Sequence, residues 1–133
     1  MDEKEYAGRC RFVGVDTKRE PISGGHWIEI KKMLSIGEIK RIEGAGITRV
    51  TVPGQAPTTE LDYAEYSFTR MDVYLTDWSL KNKEGKDIAV SPSAIRALDE
   101  DTFDEIEAVL SAHVEALAAK KKARLGAREQ NTR

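Results

Sequence analysis

The sequence predicts an α+β fold: a mainly helical single domain with short N-terminal strands, a small hairpin and a long C-terminal amphipathic helix. Three observations carry this. Short apolar stretches alternate with turn residues over residues 8–34, and apolar residues recur at helical spacing from Thr59 and again from Thr102. The 133 residues, 40% of them hydrophobic, supply one core and little material for a second.

Taking the elements in order, residues 8–34 predict two short strands. Cys10, Phe12, Val13 and Val15 form the first run and Trp27 to Ile30 the second, where Trp27, Glu29 and Lys31 share one face and Ile28 and Ile30 the other. Ser23-Gly24-Gly25 reads as the turn between them. Ser35 and Glu38 have the spacing of a capping box, in which hydroxyl and carboxylate each satisfy a backbone N–H left free at a helix start. A short helix to about Glu43 follows, ended by Gly44 and Gly46. Residues 47–58, with Thr-Val alternation and then Pro53, Gly54 and Pro57, predict a strand fragment and an irregular loop.

From Thr59, Leu61, Ala64, Phe68, Met71, Leu75 and Trp78 recur at intervals of 3, 4, 3, 4 and 3, one helical stripe. Tyr63, Tyr66, Val73 and Tyr74 lie partly around the cylinder, so this helix carries more apolar surface than one core contact requires. Trp78 to Leu80, the turn-rich Lys81 to Lys86 and Ile88 to Val90 predict the small hairpin. Ser91-Pro92 places a capping residue before a proline at the first helical position, starting a short helix through Leu98 that Asp99-Glu100-Asp101 breaks. Thr102 and Glu105 repeat the capping-box spacing, and Phe103, Ile106, Val109, Leu110, Val114 and Leu117 give the long helix its apolar face. Acidic residues in its first turns and Lys120 to Lys122 near its end complement the helix dipole.

Charge divides the chain unevenly. Residues 120–133 hold six basic residues against Glu129, an excess of five positive charges, so with a net charge of −2 the preceding 119 residues carry seven negative. The reading is therefore a single domain over 1–119 and a basic tail over 120–133 that frays towards its end. Without a basic excess overall, binding along a nucleic-acid backbone is not expected. A single cysteine, Cys10, forms no internal disulfide and suits a reducing cytoplasm. The acidic, polar amino terminus and the lack of any run of about 18 apolar residues predict neither a signal peptide nor a membrane span.

Reactive chemistry finds no foothold in the spacing. Cys10, His26 and His113 are isolated from one another, so neither a zinc site nor a Cys-His nucleophile pair is expected. Gly44-Ala45-Gly46 ends a helix instead of joining a strand to one, so it is no dinucleotide loop. The pairs Asp62/Glu65 and Asp104/Glu107 read as solvated helix faces, not as an acid-base couple. No catalytic residue, cofactor or metal is predicted, and the protein is read as a non-enzyme. The aromatic set Trp27, Tyr63, Tyr66, Tyr74 and Trp78 is more informative, because amphipathic rings are enriched at protein interfaces.

The run Trp27-Ile28-Glu29-Ile30-Lys31-Lys32-Met33-Leu34-Ser35-Ile36-Gly37-Glu38, then Tyr74-Leu75-Thr76-Asp77-Trp78-Ser79-Leu80, Glu84-Gly85-Lys86 and Val90-Ser91-Pro92-Ser93-Ala94-Ile95-Arg96-Ala97-Leu98 before an acidic amphipathic helix, resembles the tail assembly chaperones of long-tailed bacteriophages. The resemblance covers roughly residues 26–117 and leaves Arg9 to Pro21 outside it. It implies a non-catalytic protein of the host cytoplasm that binds the tape measure protein and keeps it soluble while tail tube subunits polymerise around it. Such a protein leaves before the virion is complete, and many relatives of this kind exist in a short and a frameshifted long form. The tail tube protein is a second candidate partner, and self-association along the tape measure is the matching quaternary expectation. Contacts with a long, helical, apolar partner need exposed apolar helix faces, which places the expected partner-binding residues at Tyr63, Tyr66, Phe68, Val109, His113 and Leu117. The alternative reading is a structural tail-completion or connector subunit retained in the particle.

Overall fold

The computed structural model describes residues 10–130, with side chains through Gly126. Strand β1 (Thr17–Pro21) pairs antiparallel with β2 (Trp27–Lys31) from Thr17 opposite Lys31 to Pro21 opposite Trp27. The connection is a single 3-10 turn over Ser23–Gly25, where Gly24 (φ 72) and Gly25 (φ 75) take left-handed backbone that a residue with a Cβ rarely adopts. On β2, Ile28 and Ile30 are fully buried while Trp27, Glu29 and Lys31 on the other face are half-buried, as the alternation predicts. The first strand lies later than expected. Cys10 to Val15 leads into the sheet with Phe12 and Val15 exposed, and the pairing strand is the polar Thr-Lys-Arg-Glu-Pro. A tight turn at 23–25 fixes which residues can face 27–31, and an edge strand takes charged residues readily because one side meets no neighbour.

Ser35 caps α1 (Ile36–Ala45) as predicted: its hydroxyl accepts the Glu38 N–H at 3.3 Å, and the Glu38 carboxylate accepts the Ser35 N–H at 3.0 Å. The helix closes at Gly46, where an added Cβ would lie 3.0 Å from the Tyr66 Cβ. A side chain there would crowd Tyr66 of the next helix, which would have to give way. The chain then forms a two-stranded antiparallel ribbon, β3 (Ile47–Val50) with β4 (Thr58–Leu61).

The central helix is shorter than its apolar stripe suggests. Residues 58–61 are strand, and α2 (Tyr63–Tyr74) starts only after Asp62, whose carboxylate accepts the Glu65 N–H at 3.0 Å. At the other end the backbone extends at Leu75 (φ −73, ψ 124) and β5 (Leu75–Trp78) joins β2 as the third strand, in the order β1-β2-β5. Leu75 and Trp78 fit the helical spacing yet belong to a strand. A register shift in the ladder between Glu29 and Ile30 aligns Leu75 with Ile30 and Trp78 with Ile28, so both face the core despite their odd separation.

The small hairpin is reduced to one bridge, Lys81 opposite Asp87, around a turn in which the Asn82 side-chain oxygen accepts the N–H groups of Glu84 and Lys86. Trp78 anchors this loop by donating its indole N–H to the Ile88 carbonyl at 2.6 Å. Ser91 then caps α3 (Pro92–Arg96), which stops two residues before the expected Leu98.

The last helix, α4 (Glu100–Gln130), begins earlier than the Thr102/Glu105 pair implies. Asp99 is the cap, accepting the Thr102 N–H at 2.7 Å. That bond and one from the Thr102 hydroxyl hold the Asp99 carboxyl below the usual aspartate range. Glu105, released from capping, accepts the Ser23 N–H (3.0 Å) and hydroxyl (2.9 Å), tying the β1–β2 turn to the helix.

The core gathers Ile28 and Ile30 from β2, Leu75 and Trp78 from β5, Ile42 from α1, Met71, Val73 and Tyr74 from α2, Ile95 from α3, and Ile106 and Leu110 from α4. Burying each aliphatic side chain contributes about 1.5–3 kcal/mol. Helix α4 passes residue 119 without a break, and every residue from 118 to 126 is exposed. Residues 1–9 of the expected domain and 131–133 of the expected tail lie outside the described residues. Among the described residues no helix is long and apolar enough to cross a membrane.

Candidate partner-binding surface

The contacts between α2 and α4 decide which helical faces remain available. Arg70, buried at 8% exposure, donates from Nη2 to Glu107 Oε2 (3.1 Å) and to the Ser111 hydroxyl (3.0 Å), and Ser67 donates to the same Glu107 oxygen at 3.3 Å. Its guanidinium also lies 5.8 Å from the Tyr66 ring centre, within cation–π range. Arg70 Nε and Glu107 Oε1 are left without a hydrogen-bond partner. Partial desolvation with incomplete pairing makes such an ion pair a weak source of net stability, and it links α2 to α4 at one fixed place along each helix.

His113 is held from two sides. Its Nε2–H donates to the Lys32 carbonyl at 3.0 Å, and its ring meets Tyr74 edge-to-face, centroids 5.8 Å apart at 88°. Burial, reinforced by the Lys18 charge, pushes its pKa below the ordinary histidine value. Tyr74 shifts upward, chiefly through burial. The shift favours the neutral imidazole, whose bond to the Lys32 carbonyl holds α4 against the end of β2. His26 is also engaged, with Nδ1 3.0 Å from the Ser79 hydroxyl oxygen that accepts the Trp27 N–H. Cys10 lies exposed in the segment before β1. Among the described residues no three His, Cys, Asp or Glu side chains are grouped to hold a metal ion.

The six expected contact residues do not share one surface. Tyr63 is 72% exposed at the start of α2, and the half-buried Tyr66 packs beside Gly46 at the end of α1. Phe68 is covered on another side: Phe103 meets it edge-on at 5.5 Å, and the Arg96 guanidinium lies 4.6 Å over its ring while pairing with Asp72 at 3.2 Å. Val109 packs against the core and, with His113, lines a shallow groove between α4 and Lys18 and Glu20 of β1. Leu117 is half-buried one turn further along. Tyr63 and Leu117 keep exposed area, whereas His113 is a packing residue.

A different apolar set faces solvent. Met33, Ile36 (70% exposed) and Ile39 line the start of α1, and Ile47 (54%) and Leu61 (66%) sit directly opposite each other across the ribbon, next to Tyr63 in sequence. In α1, Ile36, Ile39 and Ile42 step around about 120° of the cylinder, and only Ile42, at one edge of that arc, is buried. For the ribbon the sequence carried no signal of exposure, because Leu61 also fitted a helical stripe. Two-stranded ribbons are marginal in water by themselves, and this one presents its largest apolar pair outward. Comparison of the chain with family models, curated proteins and solved structures returns no match.

Proposed function

We propose that this chain is a non-catalytic tail assembly chaperone of a long-tailed bacteriophage. In this reading it works in the host cytoplasm, binds the tape measure protein and keeps it soluble while the tail tube polymerises, and is absent from the mature virion. The observation that carries it is the outward-facing apolar set of α1 and the β3–β4 ribbon, on a chain whose motif order resembles that family. A small domain with a complete core of its own gains nothing in stability from exposing Ile36, Ile47, Leu61 and Tyr63. A long apolar helical partner would cover them, and weak contacts repeated along such a partner accumulate into retention.

Co-expression with the protein of the very long helical reading frame expected beside this gene tests the reading. The tape measure should stay soluble and co-purify with this chain, and Leu61→Asp and Tyr63→Asp should each release it while the chaperone stays folded. A tape measure equally soluble alone would contradict the proposal. Mass spectrometry of purified virions should lack this chain, and stoichiometric amounts there would assign it instead to the connector or tail-completion class.

A further inference from the structure

The seam by which α4 holds α2 does not stop where α2 stops. Glu107 and Ser111 meet Arg70 and Ser67 of α2, and Phe68 with Phe103 and Tyr74 with His113 show the two helices running side by side in the same direction. Helix α2 ends at Tyr74, yet the line Glu107, Ser111, Val114, Ala118, Lys121, Leu125 continues along α4 at intervals of 4, 3, 4, 3 and 4. That is the spacing at which one helix packs along another. Val114, Ala118, Lys121 and Leu125 are all exposed, with Leu125 at 46%. Residues 118–126 contain Lys120, Lys121, Lys122 and Arg124 and no acidic residue.

We infer that α4 from Val114 to Gly126, exposed except at the half-buried Leu117, is a docking helix for an acidic amphipathic helix of another protein. The occupant follows from charge. Two copies of this segment laid together would oppose four cations to four cations. The acid-rich start of α4 in a second copy has its apolar face, Phe103, Ile106 and Leu110, packed into its own core and Glu105 and Glu107 tied to Ser23 and Arg70, so it offers the exposed Glu100, Asp101 and Asp104 with no apolar seam beside them. A polyanion such as DNA would neutralise the lysines but leave Val114 and Leu125 uncovered. A helix with leucines at heptad spacing and glutamates beside them satisfies both features at once. The inference stands apart from the tape measure reading, since it specifies only partner chemistry and its probe is synthetic.

The test uses the full-length protein and a labelled synthetic helix of about three heptads, Leu at the seam and Glu at the flanks, with a Lys-flanked version of the same peptide as control. Fluorescence anisotropy should show saturable binding of the Glu peptide, weakened about tenfold by raised salt, and no binding of the Lys peptide. Leu125→Ser and Ala118→Asp should each weaken it about fivefold or more, and the triple variant K120E/K121E/K122E should exchange preference to the Lys peptide. These positions are exposed, and circular dichroism checks that each variant remains folded. No binding of the Glu peptide would overturn the inference. So would binding of a DNA duplex or anionic vesicles as tight as that of the peptide and indifferent to Leu125→Ser.

Discussion

The three-stranded sheet and the two-stranded ribbon are both antiparallel, and they spend their apolar residues in opposite ways. In β2, Ile28 and Ile30 are fully buried under α2 and α4, while in the ribbon Ile47 and Leu61 pair across the strands and face solvent. The presence of isoleucine beside charged residues does not separate them, since both have it. The difference lies in which elements lie over each one. A sheet face closed by helices contributes stability, and a face left open is available to a second polypeptide.

The largest effect that should sharpen this contrast is a cavity beneath the sheet. Ile30→Ala or Ile106→Ala is expected to destabilise the fold by about 2–5 kcal/mol in denaturant titrations. Leu61→Ser should change stability by no more than about 0.5 kcal/mol. A large loss from Leu61→Ser would mean that the ribbon belongs to the core after all. Next comes the half-buried ion pair, where Arg70→Ala should cost about 1–3 kcal/mol because it leaves the partly exposed Glu107 without its cation. A double-mutant cycle with Glu107→Gln measures the coupling directly. Removing the α1 cap by Ser35→Ala should cost about 1 kcal/mol, seen as a lower unfolding midpoint.

Smaller effects appear with pH. Because the folded pKa of His113 lies below its ordinary value, the unfolded chain binds the extra proton first, and stability is lost as pH falls below about 6.5 until the folded pKa is reached. Glu38 behaves in the same direction at lower pH. Lys31 and the Ser35 N–H hold its carboxyl below the usual range, so its contribution is complete above the ordinary glutamate value and disappears as pH drops through the folded one. His113→Gln should flatten the first slope and Glu38→Gln the second in melts recorded across pH.

Local chemistry was readable wherever a few neighbouring residues decide the outcome. The Ser35/Glu38 capping box, the Ser91-Pro92 start, the alternation of Ile28 and Ile30 and the stripe through Ile106 and Leu110 all follow from the residues themselves. Three features depended on distant partners and were not readable. Polar β1 is a strand because the turn at 23–25 folds it onto β2. Leu75 and Trp78 imitate helical spacing because the ladder shifts register beside them. Thr102 loses the cap to Asp99, and Glu105 reaches the distant Ser23. The candidate site suffered most, because exposure is a property of what lies opposite. Phe68 and Val109 look free on a helical projection until Phe103, Arg96 and β1 are placed against them.

Hydrogen exchange on the free chain and on a complex with the proposed tape measure partner tests the central claim most directly. Amides of Ile47 to Leu61 should exchange quickly in the free protein and slow markedly in the complex, while those around Ile106 and Leu110 are protected in both. If the ribbon amides are already as slow as the core in the free chain, or stay fast in the complex, its outward apolar face is not reserved for a partner.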